Sequence, residues 1–499
     1  MPLLEGLQVA LTPFNLFACF IGVIIGTLTG VLPGLGPAAA MAMLLPLTVK
    51  MGSTAGLIML AGIYYGAMYG GSTTSILVNV PGEPASVVTC LEGYKMARKG
   101  RAGAALAVSA IGSFIAGTLG IILIQLFAPP LARVALKFGP AEFFAMTIVG
   151  IILLSNLSGK GGLKAFLMIA LGLLLSTVGL DPLGGINRFT FNYAGAGTGL
   201  SFIAIAAGLF GVGEILWLAS QADEQLEVMK VGLRDLYPTK EEIKRALPPM
   251  FRGGFLGFLI GLVPGPAATI ASFASYSLEK SISKHKEEFG HGAIEGVAGP
   301  EAANNAASAG AMVPLLSLGI PFSPAVAVLL SGMLLMGVTP GPLFLREHPD
   351  AFWGVIGSMY IGNVMLLILN LPLVGIWASI TRIPQKYLMP VVLLFCIVGA
   401  YADNNNIFDV WVMLGAGVAG YLMRKFEYDP APLLIGLVMG PIMERSLRQA
   451  LIMGRGDVGS LFASPISFSL YVIAIAFLAF SIVKGARGTK KMAGTVECR

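Results

Sequence analysis

The sequence predicts an all-α polytopic membrane protein of about 11–12 membrane segments, built as two inverted repeats with broken or re-entrant helices. Three observations lead there. Only 12% of the 499 residues are charged, 56% are hydrophobic and mean hydropathy is +0.82, whereas a soluble domain carries about a quarter charged residues. One short phrase occurs twice, as Gly26-Thr27-Leu28-Thr29-Gly30-Val31-Leu32-Pro33-Gly34 and Gly257-Phe258-Leu259-Ile260-Gly261-Leu262-Val263-Pro264-Gly265. Basic residues flank the two copies on opposite sides.

Apolar runs recur along nearly the whole chain: Leu16–Leu32, Ala104–Phe127, Phe143–Leu154, Leu163–Leu180, Leu200–Leu218, Val355–Ile380, Met389–Ala400, Val410–Met423 and Ile466–Val483. The net charge of +6 fits cytoplasmic loops that follow the positive-inside rule. No basic stretch is interleaved with aromatics, so nucleic acid is not an expected partner; membrane lipid is. Cys19, Cys90, Cys396 and Cys498 lack CxxC spacing, which argues against both a disulfide framework and a zinc site. His285, His291 and His348 lie in charged loops, away from any histidine-based metal or triad arrangement.

The phrase fits GxLxGxxPG in both copies. Gly and Pro break a helix, and inside a membrane such a break survives only where protein or a polar cavity satisfies the freed backbone groups. Paired breaks in corresponding halves point to a transporter's binding site. The polar stretch Asp223–Arg252 divides the chain almost in half. The expected organisation is therefore membrane repeat one over 1–220, a cytoplasmic linker over 221–252, and repeat two with C-terminal helices over 253–499. Ile243 and Leu247 suit a short surface helix within the linker.

The likeness continues beyond the phrase. Gly70-Gly71-Ser72-Thr73-Thr74-Ser75-Ile76-Leu77-Val78-Asn79-Val80-Pro81-Gly82 corresponds to Gly310-Ala311-Met312-Val313-Pro314-Leu315-Leu316-Ser317-Leu318-Gly319-Ile320-Pro321-Phe322. The first Pro-Gly pairs stand 231 residues apart and the later prolines 240, so half two carries a small insertion. Residues 1–14 contain only Glu5, whereas Lys240, Lys244, Arg245 and Arg252 precede the second phrase. Lys95, Arg98, Lys99 and Arg101 follow repeat one, and Leu335–Leu345 is uncharged. Half one then starts outside and ends inside, and half two does the opposite.

Two groups of residues suit anion and cation binding. A broken helix exposes N–H groups and the positive end of a half-helix dipole, which favour anions; Gly34, Gly36 and Ala38 offer this in half one, and Gly265, Ala267 and Ala268 in half two. The second elements add Ser72, Thr73, Thr74 and Asn79, with Glu301, Asn304, Asn305 and Ser308 opposite. The last four fall at i, i+3, i+4 and i+7 on one helix face. They supply hard oxygen ligands for a cation and donors for a carboxylate substrate, with Glu301 the expected ion-coupling residue. The competing role for both groups is close helix packing and capping.

Other polar residues read as structural. Glu214 interrupts an apolar run but lies near the linker, at headgroup level. Asp181, Arg188 and Asn192 suggest a structured turn with an internal ion pair. Asp403, Asn404, Asn405, Asn406 and Asp409 read as turn and cap residues. Tyr428-Asp429 and Gly454-Arg455-Gly456-Asp457 superficially match the paired motifs of intramembrane aspartyl proteases, yet both aspartates follow basic loop residues. No HExxH or GxSxG arrangement is present.

In order and across nearly the whole chain, these elements resemble the TctA family, the large membrane subunit of bacterial tripartite tricarboxylate transporters. Besides the two phrases, the similar residues are Val80-Pro81-Gly82-Glu83-Pro84-Ala85-Ser86, Gly93-Tyr94-Lys95-Met96-Ala97, Asp181-Pro182, Arg188-Phe189-Thr190-Phe191, Gly208-Leu209-Phe210-Gly211-Val212-Gly213-Glu214, Pro300-Glu301-Ala302-Ala303-Asn304-Asn305-Ala306, Asp429-Pro430-Ala431-Pro432 and Glu444-Arg445-Ser446-Leu447-Arg448-Gln449. The resemblance implies a secondary transporter of the cell inner membrane that takes up tricarboxylates or related carboxylates. It also implies a small membrane subunit (TctB-like) and a periplasmic solute-binding protein (TctC-like) as partners. Pro266-Ala267 and Phe322 stand where the family usually has Gly, and their bulk is expected to restrict backbone approach to a ligand. No cofactor is expected apart from the coupling cation, sodium or proton. The alternatives are an organic-anion channel or carrier without a binding protein, and the aspartyl protease.

Overall fold

Glycine at every fourth position sets how the long helices of each half meet. The computed structural model describes residues 2–32, 36–157, 162–181, 184–220, 237–380 and 385–478. After α1 (Pro2–Ala10), repeat one comprises α2 (Pro13–Val31), α3 (Pro37–Lys50), α4 (Ser53–Leu77), a 3-10 turn (Pro84–Ser86), α5 (Val87–Met96) and α6 (Ala102–Ala135). Next come α7 (Pro140–Leu157), α8 (Gly162–Leu175), the hairpin β1 (Gly179–Leu180) and β2 (Asn187–Arg188), α9 (Phe202–Ala206) and α10 (Gly213–Ala219). Repeat two comprises α11 (Lys240–Gly261), α12 (Ala267–Ile282), α13 (Glu295–Leu318), α14 (Pro324–Leu335), α15 (Phe344–Glu347) and α16 (Pro349–Asn370). α17 (Val374–Ile380), α18 (Gln385–Asn404), α19 (Ile407–Lys425) and α20 (Ala431–Met453) follow, then a last apolar helix, Pro465–Leu478.

Along α2, Gly22, Gly26 and Gly30 face Met59, Ile63 and Ala67 of α4; a Cβ on Gly22 or Gly26 would come within 2.6 Å of a backbone carbonyl there. Along α11, Gly253, Gly257 and Gly261 face the carbonyls of Gly299, Ala303 and Ala307 of α13 in the same way. The glycines lie 231 residues apart between repeats and their partners 240 apart, so the two seams share one register. In both, numbering rises together along the two helices, so α2 is parallel to α4 and α11 to α13. Within a membrane no hydrophobic effect drives helices together, and close backbone approach over small residues takes its place. The nine-residue difference between the offsets falls in the loop between α12 and α13, where half one has only Met51 and Gly52.

The repeats interlock through their last long helices. α6 packs on α13, and α16 on α4. Asn363 of α16 donates to Phe114 O (2.9 Å) and Thr118 Oγ1 (3.0 Å) of α6, while Gln125 of α6 donates to the Tyr360 hydroxyl (2.6 Å). These pairs run in opposite directions along the two helices, as do Ser72–Glu301 and Tyr64–Ser308 between α4 and α13. The halves are thus antiparallel, the inverted arrangement expected from the charges.

Among the described residues, five helices are long and apolar enough to cross a membrane, and six shorter apolar helices accompany them. α4 and α13 are not among these. Every residue of α13 is buried, and nearly all of α4, so protein rather than lipid surrounds them and they tolerate Gly, Ser, Asn and Glu. α7, α8 and α20 form a second apolar cluster, and α9, α18 and α19 a third. The expected short surface helix around Ile243 is instead the first part of α11, which starts at a Thr239/Glu242 capping box and continues into the second phrase. Residues 221–236 of the expected linker lie outside the described residues.

Replacing Gly26 or Gly257 by Val is expected to destabilise the protein by about 1–3 kcal/mol or more, because backbone lies where the new atoms must go. Gly415→Ala on α19, where a Cβ meets nothing, should stay within about 0.5 kcal/mol. Thermal unfolding of the detergent-purified variants checks the contrast; equal melting for all three refutes the seam.

Candidate functional site

In each repeat the two helix breaks are brought together. α13 ends at Gly319, whose φ of +73° is the left-handed conformation glycine takes at a helix C-terminus. The loop that follows places Phe322 O to accept the Gly265 N–H at 3.0 Å, joining the break after α13 to the break after α11. Gly265 has φ +141° and is buried. In repeat one the corresponding loop residue, Gly82, is wedged at the end of α2. A Cβ there would strike Gly30 O, Gly71 Cα and Thr74 Oγ1, so only glycine fits.

The N–H groups expected to bind an anion are partly spent. Gly265 donates to Phe322 O, and Ala267 to Gly265 O (2.8 Å). Gly36 caps α3, its carbonyl accepting from Ala39 and Ala40, and the space beside its Cα is open. Gly34 lies outside the described residues.

The polar residues of α4 and α13 converge between the repeats. Glu301 is fully buried and accepts Ser72 Oγ of α4 at 2.5 Å, Thr89 Oγ1 of α5, and the Asn304 amide at 3.4 Å, with the Ser109 hydroxyl of α6 beside it. Asn305 donates to Ser113 Oγ (2.8 Å), Asn304 Oδ1 (2.7 Å) and Glu301 O (3.0 Å). Ser308 Oγ donates to Asn304 O at 3.0 Å. One face of α13 thus bonds to three helices of the other repeat, an arrangement that knits the helices together and gathers polar groups between them.

Thr73 is buried, and Thr74 Oγ1 turns back on Gly71 O at 3.2 Å. Asn79 is exposed in the left-handed region (φ +61°), just past the end of α4, where it closes the helix instead of joining the cluster.

Beside the cluster lies a small cavity with about 20 Å³ open to water, room for about one molecule. Tyr64, Tyr65, Tyr69, Asn305, Ser308 and Asn363 are among its lining residues, contributed by α4, α13 and α16. Tyr69 donates to Asn363 Oδ1 at 2.5 Å. The tyrosines, Asn363, Thr89 and Ser109 were not singled out in the sequence. Asn363, one of two amides with Asn370 in the apolar run Val355–Ile380, is the one an intramembrane-polarity rule could have found.

Glu92 of α5 forms a separate contact between the repeats. Buried, it accepts the N–H groups of Gly290, Gly292 (2.6 Å) and Ala293 (3.0 Å) and the Tyr276 hydroxyl (2.7 Å). Its partners Gly290, Gly292 and Ala293 sit in the inserted loop of half two. At the rim of that loop, Arg245 beside Glu288 holds this carboxyl below its usual value.

In the Leu180–Asn192 loop the charge of Asp181 acts on Arg188, but the hydrogen bonds of both residues reach beyond the loop. Asp181 bonds Arg448 (3.0 Å) and Arg188 bonds Glu444 (2.7 Å), both on α20, because the hairpin folds back over that helix end. Glu214 pairs with Arg424 of α19. Asn406 caps α19, and Asp403 accepts the Ser201 hydroxyl. Asp429 and Asp457 each accept a nearby backbone N–H at a helix end, so they face turns rather than each other. Among the described residues, the one group of His, Asp, Glu and Cys with metal-ligand spacing is His285, Glu287 and Glu288, in the loop where Arg245 already binds Glu288.

The chain matches the family described as "Tripartite tricarboxylate transporter TctA family" over residues 16–435. It is 49% identical over 486 residues to the "Uncharacterized 52.8 kDa protein in TAR-I ttuC' 3'region" of Agrobacterium vitis, spanning 97% of this chain and 96% of that protein. It is 46% identical over 234 residues to the "Uncharacterized protein in TAR-II ttuC' 3'region" of the same organism, covering 47% of this chain and 97% of the relative. No solved structure is matched.

Truncating Glu301 to Ala strands the Ser72, Thr89 and Asn304 donors in a buried space, at about 1–3 kcal/mol per unsatisfied group. The expected result is a clear fall in unfolding temperature, with Glu301→Gln losing less. An unchanged temperature for Glu301→Ala would mean that the cluster is not assembled as described.

Proposed function

We propose a function on the premise that this chain belongs to the tripartite tricarboxylate transporter TctA family: it is the large membrane subunit of a secondary active transporter for tricarboxylates or related carboxylates. Two antiparallel repeats, each with both of its breaks joined, meet around a buried polar cluster between α4 and α13, and this observation carries the reading. Sites at such a junction alternate in access when one repeat moves against the other.

In this reading the carboxylate is held by Ser72, Asn304, Asn305 and Ser308, helped by the first turns of α3 and α12. Gly36, Gly265 and Ala267 shape those turns, and Gly34 is assigned to the same site from its place in the repeated phrase. The Gly265 and Ala267 N–H groups become available only if the Phe322 contact and the turn at Gly265 open, so substrate binding and opening of the break are linked. The cavity has room for about one water, which supports a carrier that must open to load over a standing pore. Glu301 answers to the sodium or proton gradient. The subunit sits in the inner membrane with a small membrane partner and receives substrate from a periplasmic binding protein.

Carboxylate uptake into proteoliposomes, with the purified binding protein and small subunit under imposed sodium or proton gradients, tests this. Asn304→Ala and Ser308→Ala are expected to insert normally and to lower uptake at least about tenfold, equivalent to about 1.4 kcal/mol. Normal uptake by both variants would sink the site, and uptake that never saturates would favour a channel.

A further inference from the structure

Glu83 is a second buried carboxylate beside the cluster, and the protein leaves part of it unanswered. It is 5% exposed, and its Oε1 has no hydrogen-bond partner. Glu83 stands at the N-cap of the turn Pro84–Ser86, where its backbone carbonyl accepts the Ser86 N–H at 3.1 Å and Ser86 Oγ accepts the Glu83 N–H at 3.3 Å. Gly71 lies against its stem, where a Cβ would sit 2.7 Å from Cγ, and the neighbouring Ser72 holds Glu301. The two carboxylates therefore reach adjacent residues of one turn of α4. Among the described residues, neither pairs with a Lys, Arg or His.

Helix ends add charge of the same sign. α2 and α4 run parallel and stop at Val31 and Leu77, and Gly30 O abuts Gly82, the residue before Glu83. The last carbonyls of a helix lack intrahelical donors and carry the negative end of its dipole. Two helix C-termini and two carboxylates thus share one buried region, an arrangement too costly to stay uncompensated.

The second repeat serves as an internal control. Moving 240 residues along, Gly82, Glu83 and Pro84 become Phe322, Ser323 and Pro324. Ser323 caps α14 through the Val326 N–H at 3.4 Å, from the same N-cap position that Glu83 holds before its own turn. The capping role is retained there without a charge. A carboxylate at position 83 therefore answers a demand that capping does not make.

We infer that Glu83 and Glu301 form one binding site for a single monovalent cation, a proton or a sodium ion. Glu301 is the member fixed by its hydroxyl donors, and Glu83 Oε1 is the atom that takes and releases the ion. Gly30 O and Thr74 Oγ1, both against Gly82, are further oxygens at hand. Only the role of this ion in driving transport rests on the function proposed above; its binding does not.

The test uses the purified full-length protein and does not involve the carboxylate. Binding of radioactive sodium is measured at alkaline pH, and infrared spectra across a pH series report any protonated carboxylic acid. Saturable sodium binding that weakens at least about tenfold in Glu83→Gln, but not in the exposed control Glu347→Gln, supports a sodium site. A carboxylic-acid band lost in Glu83→Gln and kept in Glu347→Gln supports a proton site. Glu83→Ser, the residue repeat two uses, preserves the cap and should lose the same signal if the first variant folds poorly. A signal that survives both Glu83 changes, or the absence of both signals in the unaltered protein, overturns the site. Intact ion binding without carboxylate uptake supports it and sinks the transport reading alone.

Discussion

The rest of the core depends on how closely α2 approaches α4 and α11 approaches α13. With glycine at every fourth position the backbones themselves come into contact, and any side chain along either seam would force them apart. That separation fixes where the helix ends fall, and hence where the breaks after Val31 and Gly261 meet the loops after Leu77 and Leu318. Gly82 against Gly30 and Phe322 against Gly265 are consequences of the same register. A seam held by shape suits a lipid environment, where apolar side chains gain nothing by leaving their neighbours.

Parallel helices within each repeat and antiparallel helices between repeats determine what the polar residues can reach. Because α4 and α13 run in opposite directions, Ser72 near the end of one lies beside Glu301 near the start of the other. α5 and α6 close the cluster with Thr89 and Ser109. A carboxylate in such a place is tolerated because donors surround it. α4 and α13, which carry most of these groups, are wrapped in protein.

The repeats are alike in register and unlike in chemistry. Where repeat one has Gly82 and Glu83, repeat two has Phe322 and Ser323, so one loop presents a carboxylate and the other only a hydroxyl and a carbonyl. The additional loop between α12 and α13 has a counterpart in repeat one's Glu92, whose carboxylate its amides enclose.

Composition, the doubled GxLxGxxPG phrase and the charge count determined the membrane class, the two repeats, their opposite orientation and the offsets of 231 and 240. These features are legible because helix breaks and small-residue spacing are local and because loop charge records orientation directly. The pattern on α13 likewise gave Glu301, Asn304, Asn305 and Ser308, since one helix face follows from spacing alone. Only the tertiary structure decided which groups face them. Thr89, Ser109, Tyr69 and Asn363 come from other helices, Asn79 leaves the cluster because its backbone turns left-handed, and Asp181 and Arg188 form hydrogen bonds beyond their loop, to α20. Contacts between residues more than two hundred positions apart depend on how the helices cross, and no local pattern of sequence encodes that crossing.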